Sequence, residues 1–337
     1  MAITAKELAK KLNISAAAVS MALNNKPGVS SKTRLRIIEA ATKYGYDFSK
    51  LRDKAENQSH WHTIYFLIFK RYGTVVADTP FFSELTHSIH EHCIRSNLDL
   101  QIKYVSDFEN HKQLIRELSQ NNCKGILLLG TEITESELSY YVHSSIPLVV
   151  LDTYFHSTNC NYVKINNMLG VHQATTELIR AFGNDIGYLS SSFPIVNYHE
   201  RYTSFYHTVQ EYGFSSKQVI CHKLTPSLDG AYSDMCDILS RKEPLAKGYF
   251  ADNDLIAYGA IKALQEFGYK IPNDIRIIGF DDIPMCLYST PTLSTIHVPI
   301  RGLAQSAISR LLELINHDCS YNSKIEINTT FIKRTSF

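Results

Sequence analysis

The sequence predicts an α/β protein in two parts, a small all-helical unit at the N-terminus and a larger unit built on parallel sheets. Three observations carry this. Apolar residues between Thr4 and Tyr46 fall at helical spacing in three short blocks. From Thr63 onward, short apolar runs alternate with helical blocks. The net charge of +1 is also unevenly spread: residues 1–60 hold eleven Lys/Arg against five Asp/Glu, and the remainder holds twenty-three against twenty-eight.

The first block has Leu8, Ala9 and Leu12 facing inward, the second Val19 and Leu23, the third Ile37, Ile38 and Ala41, so three short helices share one small core. Thr4 with Glu7 reads as a capping box, Ser15 follows the turn Asn13-Ile14, and Ser30 starts the third helix. Pro27-Gly28 marks the loop between helices two and three. Residues 47–62 are mostly polar and read as a connector, which divides the chain into 1–46, 47–62 and 63–337.

In the third part, strand-like runs stand at Ile64–Phe69, Leu100–Val105, Gly125–Leu129, Leu148–Leu151, Ile186–Leu189, Gly248–Phe250 and Ile275–Phe280. Helical blocks such as Phe82–Arg95, His111–Ser119, Gly170–Ala181 and Leu255–Phe267 separate them. Such alternation implies parallel sheets covered by helices on both faces.

Composition narrows the function. With 44% apolar and 20% charged residues, the chain can bury sizeable cores. A basic end on a mildly acidic body points to a polyanionic partner, because neutralised phosphates release condensed counterions; a solvated basic face is the plain alternative. The seven cysteines are scattered with no CxxC pair, as in a cytosolic protein with reduced thiols and no metal site. No signal-peptide stretch opens the chain, and no apolar run reaches the ~18 residues of a membrane span. Neither H-E-x-x-H, G-x-S-x-G, a Walker motif nor a dinucleotide fingerprint occurs, so an enzyme and a bound cofactor are not expected.

A helix-turn-helix needs a small residue where two helices cross, a turn, and a second helix with a free outer face. Residues 4–25, TAKELAKKLNISAAAVSMALNN, supply these, with Ala9 at the crossing and Ala16, Ala17, Ser20 and Met21 outside; by pattern alone a generic three-helix bundle also fits. The stretch ITAKELAKKLNISAAAVSMALNNKPGVSSKTRLRIIEAATKYGY is similar to the headpiece of the LacI/GalR family of transcription regulators. By that resemblance Thr4, Ser15, Ser20, Asn24, Ser30 and Thr33 donate to phosphates, which fixes register without reading sequence.

Base reading falls by the same resemblance to Ala16, Ala17 and Met21, where family members often carry polar side chains. Apolar side chains contact a thymine methyl but make no bidentate hydrogen bond, so an A·T-leaning half-site or reliance on DNA shape is expected. The connector departs too. The family often wedges a leucine into the minor groove there, but the aligned position is Ala55. Two readings stand: Leu51 wedges from another register, or the linker does not wedge. Lys50, Arg52 and Lys54 would track phosphates either way.

Residues 63–337 resemble the family's periplasmic-binding-protein-like core of two doubly wound parallel-sheet subdomains, most clearly at FADNDLIAYGAIKALQEFGYKIPNDIRIIGFDDIPMCLYSTPTLSTIHVP, residues 250–299. The resemblance implies that Asp152, Arg201, Asn253 and Asp281 point into the cleft between subdomains, with Arg201 opening a helix, and that they bind a small sugar or sugar derivative. Phe81 and Phe82 match a P-F-F motif and are read equally as a stacking face or as helix-start core. Asp282 reads as a loop brace. Lys70, Arg71 and His199 lie near expected cleft positions and leave an anionic ligand open, and the segment from Tyr72 to Thr79 reads as plain surface or a lid.

The expected protein is thus a cytoplasmic homodimer bound to a near-palindromic operator, a repressor of carbohydrate-utilisation genes controlled by its ligand. No tail for a dimer of dimers is expected, since no leucine heptad follows the last strand. The rival is a solute receptor with the same core and no transcriptional role.

Overall fold

The computed structural model describes residues 3–23, 28–47, 62–73, 75–106 and 109–337, and the chain falls into two compact units, Met1–Trp61 and His62–Phe337. In the first unit, α1 (Ala5–Leu12), α2 (Ala16–Leu23) and α3 (Ser31–Lys43) surround a core of Leu8, Ala9, Val19, Ala22, Ile37, Ala40 and Ala41. Two sequence expectations need correction. Ile38 is 39% exposed and Ala40 takes its place inside, while Leu12 and Leu23 are only half-buried and Ala22 fills the centre. Where the short helices cross most closely a methyl group fits and a longer side chain does not, so Ala22 and Ala40 pack beside the branched Leu8, Val19 and Ile37.

Local chemistry starts and stops these helices. Glu7 N–H donates to Thr4 Oγ1 at 3.3 Å and Thr4 N–H to Glu7 Oε2 at 2.8 Å, a reciprocal capping box. Asn13 ends α1 with φ of 52°, a left-handed residue type tolerated there. Ser15 Oγ accepts from Ala18 N–H at 3.1 Å, and Ser30 Oγ from Thr33 N–H at 3.2 Å.

The second unit is laid out by β1 (His62–Lys70), β2 (Leu98–Ser106), β3 (Gly125–Leu129), β4 (Leu148–Leu151), β5 (Asn161–Ile165) and β6 (Ile186–Ser191). It continues with β7 (Ile220–Leu224), β8 (Gly248–Ala251), β9 (Arg276–Ile278), β10 (Thr295–His297), β11 (Lys324–Ile327) and β12 (Thr330–Ile332). One sheet has the order β11-β5-β4-β3-β1-β2, the other β7-β6-β8-β9, and all their pairings are parallel. Every residue of β3, β4, β5 and β8 is buried, as in sheets covered on both faces.

These sheets are the cores of two subdomains, joined where the chain crosses at Ile165–Asn167, Val298–Ile300 and Ile327–Thr330. An antiparallel pair, β10 with β12, lies beside the second sheet through the bridges Ile278–Ser294 and Asp281–His297. The sequence reading missed β5, β7, β10 and β11 because polar residues interrupt each of them, as in NYVKI and KIEI, and with them the helices Glu135–Val142, Leu228–Ser240 and Ile300–Ile315. Among the described residues, no helix is long and apolar enough to cross a membrane.

Candidate functional site

In the first unit, Ala16, Ala17 and Ser20 are exposed on α2, as expected, but Met21 is half-buried. It borders Ala22, and a side chain at Gly28 would meet its sulfur at 3.2 Å, so Met21 lies back toward the loop. The hydroxyls assigned to phosphates already have local work. Thr4 Oγ1 donates to Glu7 Oε2 at 2.7 Å, and the hydroxyls of Ser30 and Thr33 share a hydrogen bond of 2.8 Å. Lys6, Lys10, Lys11, Lys32, Arg36 and Lys43 are exposed around them. Asn24 and the connector residues Lys50, Leu51, Arg52, Lys54 and Ala55 lie outside the described residues.

In the second unit, Phe81, Phe82, Asp152, Arg201, Asn253 and Asp281 line one cavity between the two subdomains. The carboxyl ends of the strands deliver them: Asp152 directly follows β4, Asn253 stands two beyond β8, and Asp281 stands three beyond β9. Arg201 does not open its helix. It is the sixth residue of Val196–Glu211, which places Asn197 and Tyr198 on the same face at helical spacing, and both line the cavity. That spacing was legible in the sequence and was missed. Thr79, Thr131, Val75, Ile165 and Ile195 complete the wall, with no sequence signal that would have found them.

Each polar group has a stated environment. Asp152 Oδ2 accepts from Thr131 Oγ1 at 2.6 Å, whereas its buried Oδ1 has no partner, and neither has the buried Thr79 Oγ1. Arg201 donates through Nε to Asn167 Oδ1 at 2.9 Å and through Nη1 to the Asp252 carbonyl, and its guanidinium lies 3.6 Å from the centre of the Phe280 ring. Its Nη2 stands 3.7 Å from Asp281. Asn253 caps the helix Asp254–Glu266 by accepting from Ile256 N–H at 2.8 Å and turns its Nδ2 to Tyr198 Oη at 3.2 Å. Phe81 and Phe82 meet edge to face at 5.1 Å, so they are core and cavity wall at once.

Burial pushes the Asp152 carboxyl up to about 6, against the lowering effects of Thr131 and Arg201. Asp281 is raised well above the ordinary carboxylate range for the same reason, since Arg201 offsets its burial only in part and other carboxylates stand nearby. Both residues have positive φ, 61° at Asp152 and 115° at Asp281, a backbone region costly for a side-chain-bearing residue. Strained, desolvated carboxylates facing a cavity are poised for a partner that donates hydrogen bonds.

The flanking cations are elsewhere. Arg71 pairs with Glu137 at 2.5 Å, Lys70 lies over the Tyr104 ring at 4.2 Å, and His199 is exposed away from the cavity wall. Asp282 holds Arg334 at 2.6 Å and His297 at 2.9 Å, bracing the last segment of the chain. The segment after β1 is packed: it forms a helical turn, Val75–Asp78, whose Val75 and Val76 are buried, and Glu132 ties it down by accepting from Tyr72 N–H at 2.8 Å and Val76 N–H at 3.2 Å. The cavity is narrow, with about 340 Å³ of space among its lining atoms when the solvent at its mouth is included.

Comparison with known proteins agrees with both units. Residues 4–48 match the family "Bacterial regulatory proteins, lacI family", and residues 177–337 match a periplasmic binding protein-like domain. The transcriptional regulator GalS of Salmonella typhimurium is 30% identical, covering 92% of this chain and 89% of its own. The transcriptional repressor PurR of Pasteurella multocida is 28% identical, covering 99% and 98%. A LacI family regulator from Enterococcus faecium with bound ribose superposes with a TM-score of 0.70 at 26% identity, covering 81% of this chain and 98% of that one. A match of this length to a regulator removes the solute receptor and the enzyme as readings: the chain belongs to the lacI family of bacterial regulatory proteins and is a DNA-binding transcriptional regulator with a ligand-binding core.

Proposed function

We propose that this regulator is a cytoplasmic repressor of carbohydrate-utilisation genes, bound as a homodimer to a near-palindromic operator and controlled by a small, uncharged sugar in the core cavity. The observation that carries the reading is the pair of orphaned polar atoms, Asp152 Oδ1 and Thr79 Oγ1, buried in a wall that also presents Arg201, Asp281 and two phenyl rings. Sugar hydroxyls donate and accept at once, which suits carboxylates, a hydroxyl and a guanidinium together. Lys70, Arg71 and His199 stand away from the wall, which favours a neutral ligand over a phosphorylated one. The ribose bound in the Enterococcus relative and the repressor role named for PurR support the same reading.

At the DNA end, Ala16, Ala17 and Met21 would read bases, while Thr4, Ser15, Ser20, Asn24, Ser30 and Thr33 would hold phosphates. Capping leaves Ser15 a hydroxyl proton to donate, Ser30 and Thr33 have one proton between them engaged in their mutual hydrogen bond, and Thr4 must exchange Glu7 for a phosphate. Ligand releases the operator only if the two favour different angles between the subdomains.

The test is recovery of genomic fragments by the purified full-length protein in moderate salt, repeated with D-ribose and a panel of neutral and phosphorylated hexoses. An enriched near-palindrome released by a neutral sugar is the expected result. Release by phosphorylated sugars alone, or binding without a preferred site, would overturn the reading.

A further inference from the structure

Arg201 is the inner end of a chain of polar contacts that begins outside the cavity. Lys164 in β5 has only 5% of its side chain exposed, and its Nζ donates to Glu200 Oε1. The two come from different subdomains, β5 from the six-stranded sheet and Glu200 from the helix Val196–Glu211. Glu326 in β11 stands 3.9 Å from the same ammonium. The second carboxylate oxygen of Glu200 accepts from Asn167 Nδ2 at 2.8 Å, and that nitrogen also donates to Asn197 Oδ1 at 2.9 Å. Asn167 Oδ1 then accepts from Arg201 Nε.

Chemistry fixes the direction of this relay. An ionised carboxylate only accepts, a guanidinium only donates, and an amide does one at each end. Between Glu200 and Arg201, one orientation of the Asn167 amide satisfies both neighbours, and the flipped one sets acceptor against acceptor and donor against donor. We propose that Glu200 is a positioning residue of the ligand cavity: held by Lys164 across the subdomain boundary, it sets the Asn167 amide and so fixes the guanidinium of Arg201 over Phe280 and toward Asp281. The alternative is a merely structural ion pair, which would stabilise the fold without bearing on Arg201.

The inference rests on the proposed ligand reading for one of its readouts only. Full-length Glu200→Met and Lys164→Met/Glu200→Met are compared with wild type. The single variant leaves the buried Lys164 ammonium with only the longer contact to Glu326 and lowers the thermal midpoint, while the double variant, with an apolar pair of similar length, regains much of it. Both are expected to bind D-ribose about tenfold more weakly, the worth of a charged hydrogen bond. Both are also expected to exchange the Arg201 Nε–H faster by a similar factor, followed by NMR on protein labelled with 15N-arginine and assigned through Arg201→Lys. A double variant with wild-type Nε–H exchange overturns the inference. If wild type binds neither D-ribose nor any panel sugar, the ligand reading fails, and the Nε–H exchange still decides the relay.

Discussion

The rings of Tyr72 and Phe193 stack with centroids 4.7 Å apart and 28° between their planes. They join the loop after β1 in one subdomain to the loop after β6 in the other, beside a wall that shares Ile195 with the cavity. An aromatic pair adds about 0.5–1.5 kcal/mol beyond its buried area, so Tyr72→Ala should loosen the closed arrangement. Dissociation of any sugar found to bind the cavity should speed up roughly two- to tenfold in stopped-flow fluorescence. An unchanged rate would mean that the stack does not hold the cleft shut.

Asp152 gives a prediction with a definite sign in pH. Its carboxyl titrates near 6 in the fold and near the ordinary 3.8 when unfolded, so the native state binds the extra proton between those values. The associated stability is fully present below the unfolded value and is lost as pH rises through about 6. Asp152→Asn removes that titration while keeping an acceptor for Thr131. Relative to wild type, its thermal midpoint should rise as pH goes from about 4 to about 7 and stay level above. A difference that does not vary with pH would show that the carboxyl is not held protonated by burial.

Helix α2 exposes the methyl groups of Ala16 and Ala17, which are proposed to read bases but lack the directional donors that would discriminate them. Ala16→Gln should therefore change the preferred half-site, adding about 1–3 kcal/mol of preference at one position, without abolishing binding. Selection from randomised duplexes with both proteins reads this directly; identical consensus sequences would exclude position 16 from base contact.

Gly259 lies where the helix Asp254–Glu266 crosses Leu228–Ser240. A methyl group there would come within 2.6 Å of the Leu228 carbonyl oxygen and the Tyr232 nitrogen, both backbone atoms that cannot swing away. Gly259→Ala should destabilise the core by about 1–3 kcal/mol despite its better helix propensity. Urea denaturation checks the sign, and a stabilised variant would mean that the two helices part easily.

Much of this protein was determined by the sequence alone, wherever the decisive interaction spans a few residues. Thr4 and Glu7, Ser15 and Ala18, Ser30 and Thr33 are three apart, so helix starts were legible from capping chemistry. Unbroken apolar runs such as Gly125–Leu129 announced strands buried on both faces. The cavity set is different in kind: Asp152, Arg201, Asn253 and Asp281 are dispersed over 130 residues, and only resemblance to a family marked them. Tertiary structure decided the rest. It turned Arg71 to Glu137 and Lys70 to Tyr104, replaced Ile38 by Ala40 in the small core, and left Asp152 Oδ1 and Thr79 Oγ1 without partners. The physical reason is that burial and pairing belong to three-dimensional neighbours: a carboxylate's partner, its desolvation and its backbone strain arise only when strands far apart in sequence end at the same place.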